Sequence, residues 1–544
     1  MIVPRRGNPI FINTIPKCGM LDVPATLLTA IRHQQAARYP EAESLYRAVL
    51  TSAPDHPHAI YLYGLLQLGT GRTADAVGSL GRAASLRPGN LFARLALGRA
   101  LLAEGQSAEA LVAAAAVLAL EPGNAAALFL KGTALSALGR TADAVAVLHN
   151  AIAGDRINAA AHLNLGNALA DLDELEAAEA AIRQAIALDP TLIEAHVSLG
   201  FILTSRGRLA AAIETCESAI ALQPGLAQAH WNLAVAALLA GDFTRGFVEY
   251  EWRKRHDRYR LDFRDLPGPV WTGDDPAGRT ILVHAEQGFG DTIQLARYLP
   301  RIAARGGRVV LACDARLVRL LGTMSGVSAI PIDGKLPPYD AWIDQMSLPR
   351  VFATIPATIP AAGGYLAPDP VDVAAWWADL PAGCKVGVAW AGNPDHSNDR
   401  RRSLPPDAVA ALLAAPGIRF VSLQPGPRSI EAGLSDLSAR LGDYADTAAL
   451  IANLDLVVTV DTSAAHLAGA LGVPCWVMLP FAPDWRWQLG SEVSAWYTSV
   501  RLFRQPAPGA WHDVVARILS ELATRRSAGP ARTPGMARAQ EAMQ

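Results

Sequence analysis

A 34-residue periodicity in the first half of the chain constrains its fold more than any other feature of the sequence. Three sets of residues recur at this spacing and keep a fixed phase to one another. They are the prolines Pro54, Pro88, Pro122, Pro190 and Pro224, the glycines Gly64, Gly98, Gly132, Gly166 and Gly200, and the alanines Ala42, Ala76, Ala110, Ala144, Ala178 and Ala212. Phased series at one period indicate stacked copies of a single supersecondary unit.

Each unit carries two stretches with helical apolar periodicity, for example over 159–172 and 175–188. Small residues allow the two helices to approach closely, and the proline stands where the second helix must end. Because one helical hairpin cannot bury its apolar face alone, the units are predicted to stack into an α solenoid. The repeats cover about residues 23–260, with six units, a partial seventh and a charged capping helix over Phe247–Arg260.

This pattern resembles the tetratricopeptide repeat. The resemblance implies a concave face that binds a protein or peptide, although a scaffold or oligomerisation surface without a selective ligand fits the sequence equally well. Asn164 and Asn232 stand where the repeat array of animal O-GlcNAc transferase has asparagines that clamp a peptide backbone, so both are candidates for peptide binding. The matching positions of the other units hold Leu62, Ala96, Leu130 and Ser198.

The composition restricts the class of protein. With 544 residues, 51% of them hydrophobic and 18% charged, the chain is long and apolar enough to form several packed domains. A formal net charge of −2 argues against a general affinity for nucleic acid. The five scattered cysteines show neither a disulfide framework nor a zinc-binding spacing. No stretch resembles a signal peptide or a transmembrane helix, so we expect a cytoplasmic protein without a transmembrane segment.

After residue 260 the pattern changes to short β-branched runs that alternate with helical stretches. Continuous apolar strands separated by helices predict parallel sheets, and two such series predict two Rossmann-like lobes with a cleft between them. Strands are expected at 280–284, 308–312, 341–344, 385–390, 419–423, 456–460 and 475–479. The other predicted segments are an N-terminal segment over 1–22, a linker over 261–277, the lobes over 278–370 and 371–524, and a disordered tail over 525–544.

Three loops that follow strands carry residues suited to phosphate or proton chemistry. The first contains Gly288, Gly290 and Asp291 and opens a helix. A glycine-rich turn of this kind can hold a phosphate, but Ile293 stands where a dinucleotide fingerprint has its third glycine. Asp291 is expected to face the cleft at the carboxyl edge of the sheet, and the alternative is an ordinary helix cap.

The second loop, Asp461–His466, lies between a strand and a helix. Thr462, Ser463 and Ala464 would present small side chains and backbone N–H groups at a positive helix end, and His466 adds a donor, which suits a diphosphate. The alternative is a capped helix with a buried histidine. The third loop carries three cations that either neutralise a leaving phosphate or form a solvated surface, namely Arg400, Arg401 and Arg402.

The order of these motifs resembles glycosyltransferase family 9, which includes the lipopolysaccharide heptosyltransferases, over about residues 278–522. The resemblance is carried by Gly290-Asp291, by an apolar helix that ends in Leu299-Pro300, and by the D-T-x-x-x-H pattern of 461–466. It implies a GT-B-like pair of Rossmann-like lobes that uses a nucleotide-diphosphate sugar as co-substrate and needs no further cofactor.

The same resemblance implies roles for individual residues. Asp291 corresponds to the general base that deprotonates the acceptor hydroxyl, and Asp461 to a residue that holds sugar hydroxyls. Arg402 stands where the family has a lysine near the diphosphate, and Ser463 where it often has a glycine. The predicted phosphate loop consists of Thr462, Ser463, Ala464, Ala465 and His466.

The sequence therefore predicts a metal-independent, inverting glycosyltransferase, since no D-x-D motif for a divalent ion occurs in the second half. Its acceptor is either a protein or peptide held by the repeat array or a glycolipid. Two other functions stay open, a non-catalytic scaffold with a degenerate transferase domain and a nicotinamide- or flavin-dependent dehydrogenase. The aromatic residues over 482–487 and 496–499 either line the donor pocket or belong to the core.

Overall fold

The chain divides into two compact units, Met1–Ala195 and His196–Gln544. The division falls within a helix, Ile193–Ser205, and so lies inside the repeat array rather than at its end near residue 260. The last repeats thus belong to the same unit as the α/β region. The computed structural model describes residues 21–256, 266–361, 363–378, 380–395, 398–424 and 434–527.

The first unit consists of helix pairs that recur every 34 residues, as the period predicts. The two helices expected over 159–172 and 175–188 are present, with the first ending at Asp171. In chain order the helices are α1 Val23–Gln35, α2 Tyr39–Ser52, α3 Pro57–Gly69, α4 Thr73–Leu86, α5 Leu91–Ala103, α6 Ser107–Leu118, α7 Ala125–Ala137, α8 Thr141–Gly154, α9 Ala159–Asp171 and α10 Leu175–Leu188, followed by α11 Ile193–Ser205 at the division.

Most of the periodic glycines lie where the two helices of one pair approach closely, whereas Gly98 faces Leu130 of the next pair. A Cβ atom added at Gly64 would lie 2.7 Å from Leu80, and one added at Gly132 would lie 2.6 Å from Leu148. Both distances are shorter than Cβ atoms tolerate, so a larger residue would force the helices apart. The predicted role of these small residues is confirmed.

Two further 34-residue series complete the repeat. The turn inside each pair needs a residue with a left-handed backbone, which glycine adopts without steric cost. The residues with positive φ at this position of the first unit are Ala37, Gly71, Gly105, Gly139 and Asp173. An asparagine cap precedes three of the helices, where Asn90, Asn124 and Asn158 accept hydrogen bonds from the backbone N–H groups of Ala93, Ala127 and Ala161.

The second unit begins with the end of the array. After α11, the chain forms α12 Leu209–Leu222, α13 Ala227–Leu239 and α14 Phe243–Glu249, and continues as a 3₁₀ turn over Tyr250–Arg255. The capping helix predicted over 247–260 is therefore wrong in its start and in its type, because the helix begins at Phe243 behind an Asp242 cap and tightens after Glu249. Residues 257–260 of that prediction lie outside the described part of the chain.

A four-stranded parallel sheet follows. Its elements are β1 Thr280–His284, α15 Phe289–Leu295, α16 Leu299–Ala304, β2 Arg308–Cys313, α17 Ala315–Leu321, β3 Val327–Pro331, β4 Ala341–Asp344 and α18 Leu348–Val351. The strand order is β3-β2-β1-β4. The order reverses between β1 and β4, so the carboxyl ends of these two strands flank the crevice where open α/β sheets bind ligands.

A six-stranded parallel sheet forms the rest of the unit. Its elements are α19 Pro370–Trp377, β5 Lys385–Ala389, α20 Asp399–Arg402, α21 Pro406–Leu413, β6 Arg419–Ser422, β7 Leu434–Ser435, α22 Tyr444–Ala452, β8 Leu456–Val460, α23 Ser463–Leu471, β9 Cys475–Leu479, β10 Val500–Arg504 and α24 Trp511–Ser527. The order is β10-β9-β8-β5-β6-β7, which reverses between β5 and β8. The two sheets match the α/β class that the strand pattern predicts.

Some segments differ from the sequence prediction. The sequence reasoning missed three of the strands: β3, β7 and β10. Within the predicted linker, Val270 pairs with Trp342 at the edge of β4, and the Trp271 side chain is fully buried. The tail predicted from 525 is helical up to Ser527, because α24 packs its apolar face on the second sheet, and the residues beyond lie outside the described part.

One apolar core connects α13 and α14 with both sheets. The Phe243 ring stacks on Trp496 at a centroid distance of 5.8 Å, and the Phe247 ring meets the edge of Trp485 at 5.7 Å. These four side chains are at most 3% exposed. Large aromatic contacts of this kind contribute strongly to stability, so the last repeat is an integral part of the α/β unit.

Candidate functional site

The turn after β1 and the turn after β8 lie in direct contact. Gly290 in α15 faces the ring of His466 in α23, so a Cβ atom at position 290 would lie 2.7 Å from the His466 Cδ2 atom. Only a residue without a side chain allows this approach. The predicted glycine loop and the predicted phosphate loop are thereby brought together, each at the strand reversal of its own sheet.

Asp291 lies at this contact and has both carboxylate oxygens engaged. Oδ2 accepts a hydrogen bond of 2.8 Å from the backbone N–H of Gly288, which closes the first turn of α15. Oδ1 accepts one from the Arg486 guanidinium. The Asp291 side chain is 20% exposed. The residue is thus a helix-capping carboxylate and also one half of a partly buried ion pair.

Arg486 follows β9 and was not among the residues selected from the sequence. Its Nη1 donates to Asp484 Oδ1 at 2.7 Å, and its Nε donates to Gln294 Oε1 at 2.7 Å. The guanidinium lies 4.3 Å from the centre of the Trp485 ring. Burial disfavours its charge, but Asp291 and Asp484 outweigh burial and hold the pKa of Arg486 well above its usual value.

The sequence contained one signal for this residue. Arg486 stands between two tryptophans shortly after a strand, and a charged side chain inside an aromatic run needs a buried partner. Its partner Asp291 could not be identified in this way, because the two residues are 195 positions apart.

Asp461 is the first residue after β8 and is half-buried. Burial, followed by repulsion from Asp484, raises its pKa from 3.8 to about 6. The Trp487 indole and the cations Arg402 and Arg486 act in the opposite direction. Among the described residues, however, no acceptor lies at hydrogen-bond distance from the buried Trp487 N–H. A carboxyl group with this pKa exchanges its proton near neutral pH, which is a frequent property of functional sites.

Among the described residues, no side-chain cap hydrogen bond is found at the amino end of α23. Thr462 holds the cap position, but its hydroxyl bonds the Thr459 hydroxyl at 3.0 Å instead of the helix N–H groups. Ser463 Oγ accepts a hydrogen bond of 2.8 Å from the Tyr444 hydroxyl. Ala464 and Ala465 are buried behind the turn. The backbone N–H groups and the positive dipole at this helix end therefore suit an anion.

His466 lies below this end and is 4% exposed. Its Nδ1 lies 3.0 Å from the Tyr497 hydroxyl, and its ring stacks on Trp487 at 5.2 Å. Burial, with Arg486 and Arg297 nearby, lowers its pKa well below the usual value, so the ring is neutral. In this position His466 packs between the two turns, and its Nδ1 is already paired with Tyr497.

Arg402 lies at the other side of the β5–β8 reversal. Its Nε donates to Asp399 Oδ1 at 3.2 Å, and its side chain is 15% exposed. It is near enough to Asp461 to lower the pKa of that carboxyl group. Arg402 and Arg486 thus both act on Asp461, and Arg486 also bonds Asp291 of the first sheet. We call this connected set of charged groups at the strand reversals the candidate crevice.

The aromatic residues around the site belong to the core. Trp485, Trp487, Trp496 and Tyr497 are each at most 2% exposed. Of the two interpretations of this cluster, the structure supports packing in the core.

Asp314, the carboxylate that follows β2, has a structural role. It caps α17 by accepting a hydrogen bond from the Arg316 N–H at 2.9 Å, and it also pairs with the Arg316 side chain.

The two candidate peptide-binding asparagines are engaged within the array. Asn164 donates to the Thr133 hydroxyl at 2.9 Å. Asn232 is 6% exposed, donates to the Val197 carbonyl at 3.0 Å and accepts from Gln228 at 2.9 Å.

A buried ion network joins the end of the array to the β1 turn. Arg253 donates to both oxygens of Glu286, at 3.0 and 2.6 Å, and neither side chain is exposed. Arg253 also donates to the Ser347 hydroxyl at 2.9 Å. The Tyr250 hydroxyl donates to Gln287 Oε1 at 3.2 Å. The turn that carries Asp291 is thus fixed from the repeat side.

A second set of charges joins the two sheets. Arg319 of α17 pairs with Asp372, Asp443 and Asp446, all from the second sheet's helices or their caps.

Within the described residues, no three His, Cys, Asp or Glu side chains are placed to hold a metal ion. No helix of the described part has the length and apolar character to cross a bilayer.

Comparisons with known proteins give the following matches. The tetratricopeptide repeat model matches residues 27–90, 130–193 and 203–251, and a second model of this repeat matches 101–149. Protein FlbA of Caulobacter vibrioides is 31% identical over 326 residues, which cover 53% of this chain and 54% of FlbA. The chain therefore spans about half the length of this curated relative.

Two solved structures are similar to part of the chain. A tetratricopeptide repeat protein from Parabacteroides merdae is 14% identical with a TM-score of 0.37, over 43% of this chain and 93% of that one. MamA from Desulfovibrio magneticus is 22% identical with a TM-score of 0.29, over 32% and 99%. With its helix pairs at 34-residue spacing and its matches to the family models, the first half of the chain is a tetratricopeptide-repeat array.

Proposed function

We propose that the α/β part of the chain is a glycosyltransferase that moves a sugar from a nucleotide-diphosphate donor to a hydroxyl acceptor. The observation that supports it most is the direct contact between the Asp291 turn and the uncapped end of α23. Asp291 directly follows the contacting Gly290, so a carboxylate from one sheet lies near a helix end of the other sheet that would suit an anion, each after a strand at the reversal of its own sheet. This pairing suits a proton acceptor placed beside a leaving diphosphate.

In the proposed reaction, Asp291 takes the proton of the acceptor hydroxyl. The acceptor oxygen then forms a bond to the anomeric carbon while the bond from that carbon to the diphosphate oxygen breaks. The departing nucleoside diphosphate carries the negative charge, which the N–H groups at the start of α23 and the Arg402 guanidinium oppose. Asp461 lies at the same crevice, where it can accept hydrogen bonds from sugar hydroxyls.

We infer a protein or peptide as the acceptor. The Arg253–Glu286 pair and the Tyr250–Gln287 hydrogen bond attach the end of the repeat array to the turn that carries Asp291. A polypeptide bound by the last repeats would have its hydroxyl side chains close to that carboxylate. Repeat arrays of this class commonly bind polypeptides along their length.

The test uses the full chain and a panel of UDP-, GDP-, ADP- and CDP-sugars. One donor class is expected to raise the melting temperature and to be turned over, with release of nucleoside diphosphate. Asp291→Asn should retain donor binding and lose roughly 10²–10⁴-fold in turnover. Asp407→Asn is the matched control, since its carboxylate is 68% exposed on α21 and takes no part in the crevice.

The second candidate function is a non-catalytic scaffold. It is favoured by one observation, namely that both oxygens of Asp291 already accept hydrogen bonds within the protein. If no nucleotide or nucleotide sugar shifts the melting temperature, the transferase proposal fails and the scaffold remains.

A further inference from the structure

We propose that Arg486 exchanges partners during the reaction: it holds Asp291 in the donor-free protein and turns to the diphosphate when the donor binds. Donor binding would then release Asp291 Oδ1 for the acceptor hydroxyl. This inference rests on the proposed function and adds an order to it, because the base becomes available only after the donor is bound.

The first argument is the occupancy of Asp291. Gly288 N–H holds Oδ2 as part of the helix cap, and Arg486 Nη2 holds Oδ1. An acceptor hydroxyl must hydrogen-bond a carboxylate oxygen before it can lose its proton. The cap is built into the backbone of α15, whereas Arg486 belongs to the other sheet, so Arg486 is the partner whose departure would open Oδ1 fully to the acceptor hydroxyl.

The second argument is the position of Arg486. It comes from the turn after β9, the neighbour of β8, and thus from the same sheet edge as the end of α23. Its charge acts on Asp461, which directly precedes the predicted phosphate loop, and on His466, the last residue of that loop. A diphosphate at that helix end would lie within reach of the guanidinium.

The third argument is charge balance. Arg486 is 7% exposed and is shared by two carboxylates, Asp291 and Asp484. Water screens such a buried group poorly, so an arriving diphosphate would compete strongly for it. Asp484 is two residues from Arg486 in sequence and can stay bonded to Nη1, whereas Asp291 belongs to the other sheet. The pair between the sheets is therefore the one that would break.

The experiment is a double-mutant cycle read by calorimetric binding of UDP, GDP, ADP and CDP to the full chain. If Asp291 competes with the diphosphate for Arg486, Asp291→Asn should strengthen binding of the preferred nucleotide by about three- to tenfold. Arg486→Gln should weaken it. In the Arg486→Gln background, Asp291→Asn should have no further effect.

The cycle separates partner exchange from simple repulsion. A carboxylate that only repels the diphosphate would give the same gain from Asp291→Asn in both backgrounds, and that result would overturn the proposal. If Asp291→Asn binds the nucleotide no more tightly than the unaltered chain, the proposal is overturned as well. This second test needs only the Asp291→Asn variant, so it can be made even if Arg486→Gln does not fold. In both cases nucleotide binding by the unaltered chain leaves the proposed function intact. Failure of that chain to bind any nucleotide would refute both proposals.

Discussion

At the scale of single residues, Asp461 makes the stability of the protein depend on pH. Its pKa is raised from 3.8 to about 6, first by burial and then by Asp484. The folded protein therefore holds this proton more tightly than the unfolded chain does. The stability that the proton contributes is complete below about pH 4 and is lost as the pH rises through 6.

The substitution Asp461→Asn removes the dependence of stability on pH that this carboxyl group causes. Above pH 6 the variant is expected to be more stable than the unaltered chain by on the order of 1 kcal/mol, and the difference should vanish near pH 4. Thermal unfolding of both proteins from pH 4 to pH 8 measures it, with Asp75→Asn, an exposed substitution on α4, as control. If the difference in stability between the two proteins is the same at every pH, the Asp461 proton does not contribute to the pH dependence of stability.

Gly290 sets the distance between the two turns. Gly290→Ala places a Cβ atom 2.7 Å from the His466 ring, so the variant should lose about 1–3 kcal/mol of stability and much of its nucleotide binding. Gly225→Ala is the matched control, because nothing lies within 4 Å of its added Cβ atom. Equal melting temperatures for the two variants would contradict the close contact.

Part of this site follows from the sequence and part does not. The position of Asp291 and the Asp461–His466 turn after buried strands predicts that they lie at carboxyl sheet edges, which is where they are found. Their mutual contact depends on how two sheets pack, and that packing leaves no local pattern. Arg486 was missed for the same reason, because its partner comes from the other sheet.

At the scale of elements, the left-handed turn of each repeat gives a stability prediction. Gly139 has φ of 74° and Ala37 has φ of 56°, although alanine is poorly suited to this region. Gly139→Ala should therefore destabilise by about 1 kcal/mol and Ala37→Gly should stabilise by a similar amount.

Gly78 provides the control of opposite sign. It lies inside α4 with nothing within 4 Å of an added Cβ atom, so Gly78→Ala should stabilise the helix by up to about 1 kcal/mol. Thermal unfolding of the full chain ranks the three variants. The same sign for Gly139→Ala and Gly78→Ala would contradict the assigned turn.

Strands differ in how well their sequences reveal them. β1, β4, β8 and β9 were predicted at their observed bounds because they are short apolar runs. β3 is only partly buried and ends in Pro331, and β7 has two residues, so neither has the length or the apolar pattern of a buried strand. Edge strands carry a weaker signal because only part of their surface faces the core.

At the scale of the whole molecule, the Arg253–Glu286 pair fixes the end of the array to the first sheet. Both side chains are fully buried, and burial raises the pKa of Glu286 while Arg253 lowers it. Arg253→Met leaves that carboxylate without its partner and should cost about 3–5 kcal/mol. The double variant Arg253→Met with Glu286→Gln should recover part of the loss, as measured by urea unfolding. No recovery would indicate that packing, rather than charge, is responsible.

The aromatic contacts of Phe243 and Phe247 with Trp496 and Trp485 also limit how such a chain can change over evolutionary time. A gain or loss of whole 34-residue modules is compatible with the fold where a module touches only its neighbours. The carboxyl-terminal module instead packs on Trp496 and on Trp485, the residue before Arg486. Relatives of different length are therefore expected to vary at the amino-terminal end and to keep this last module unaltered.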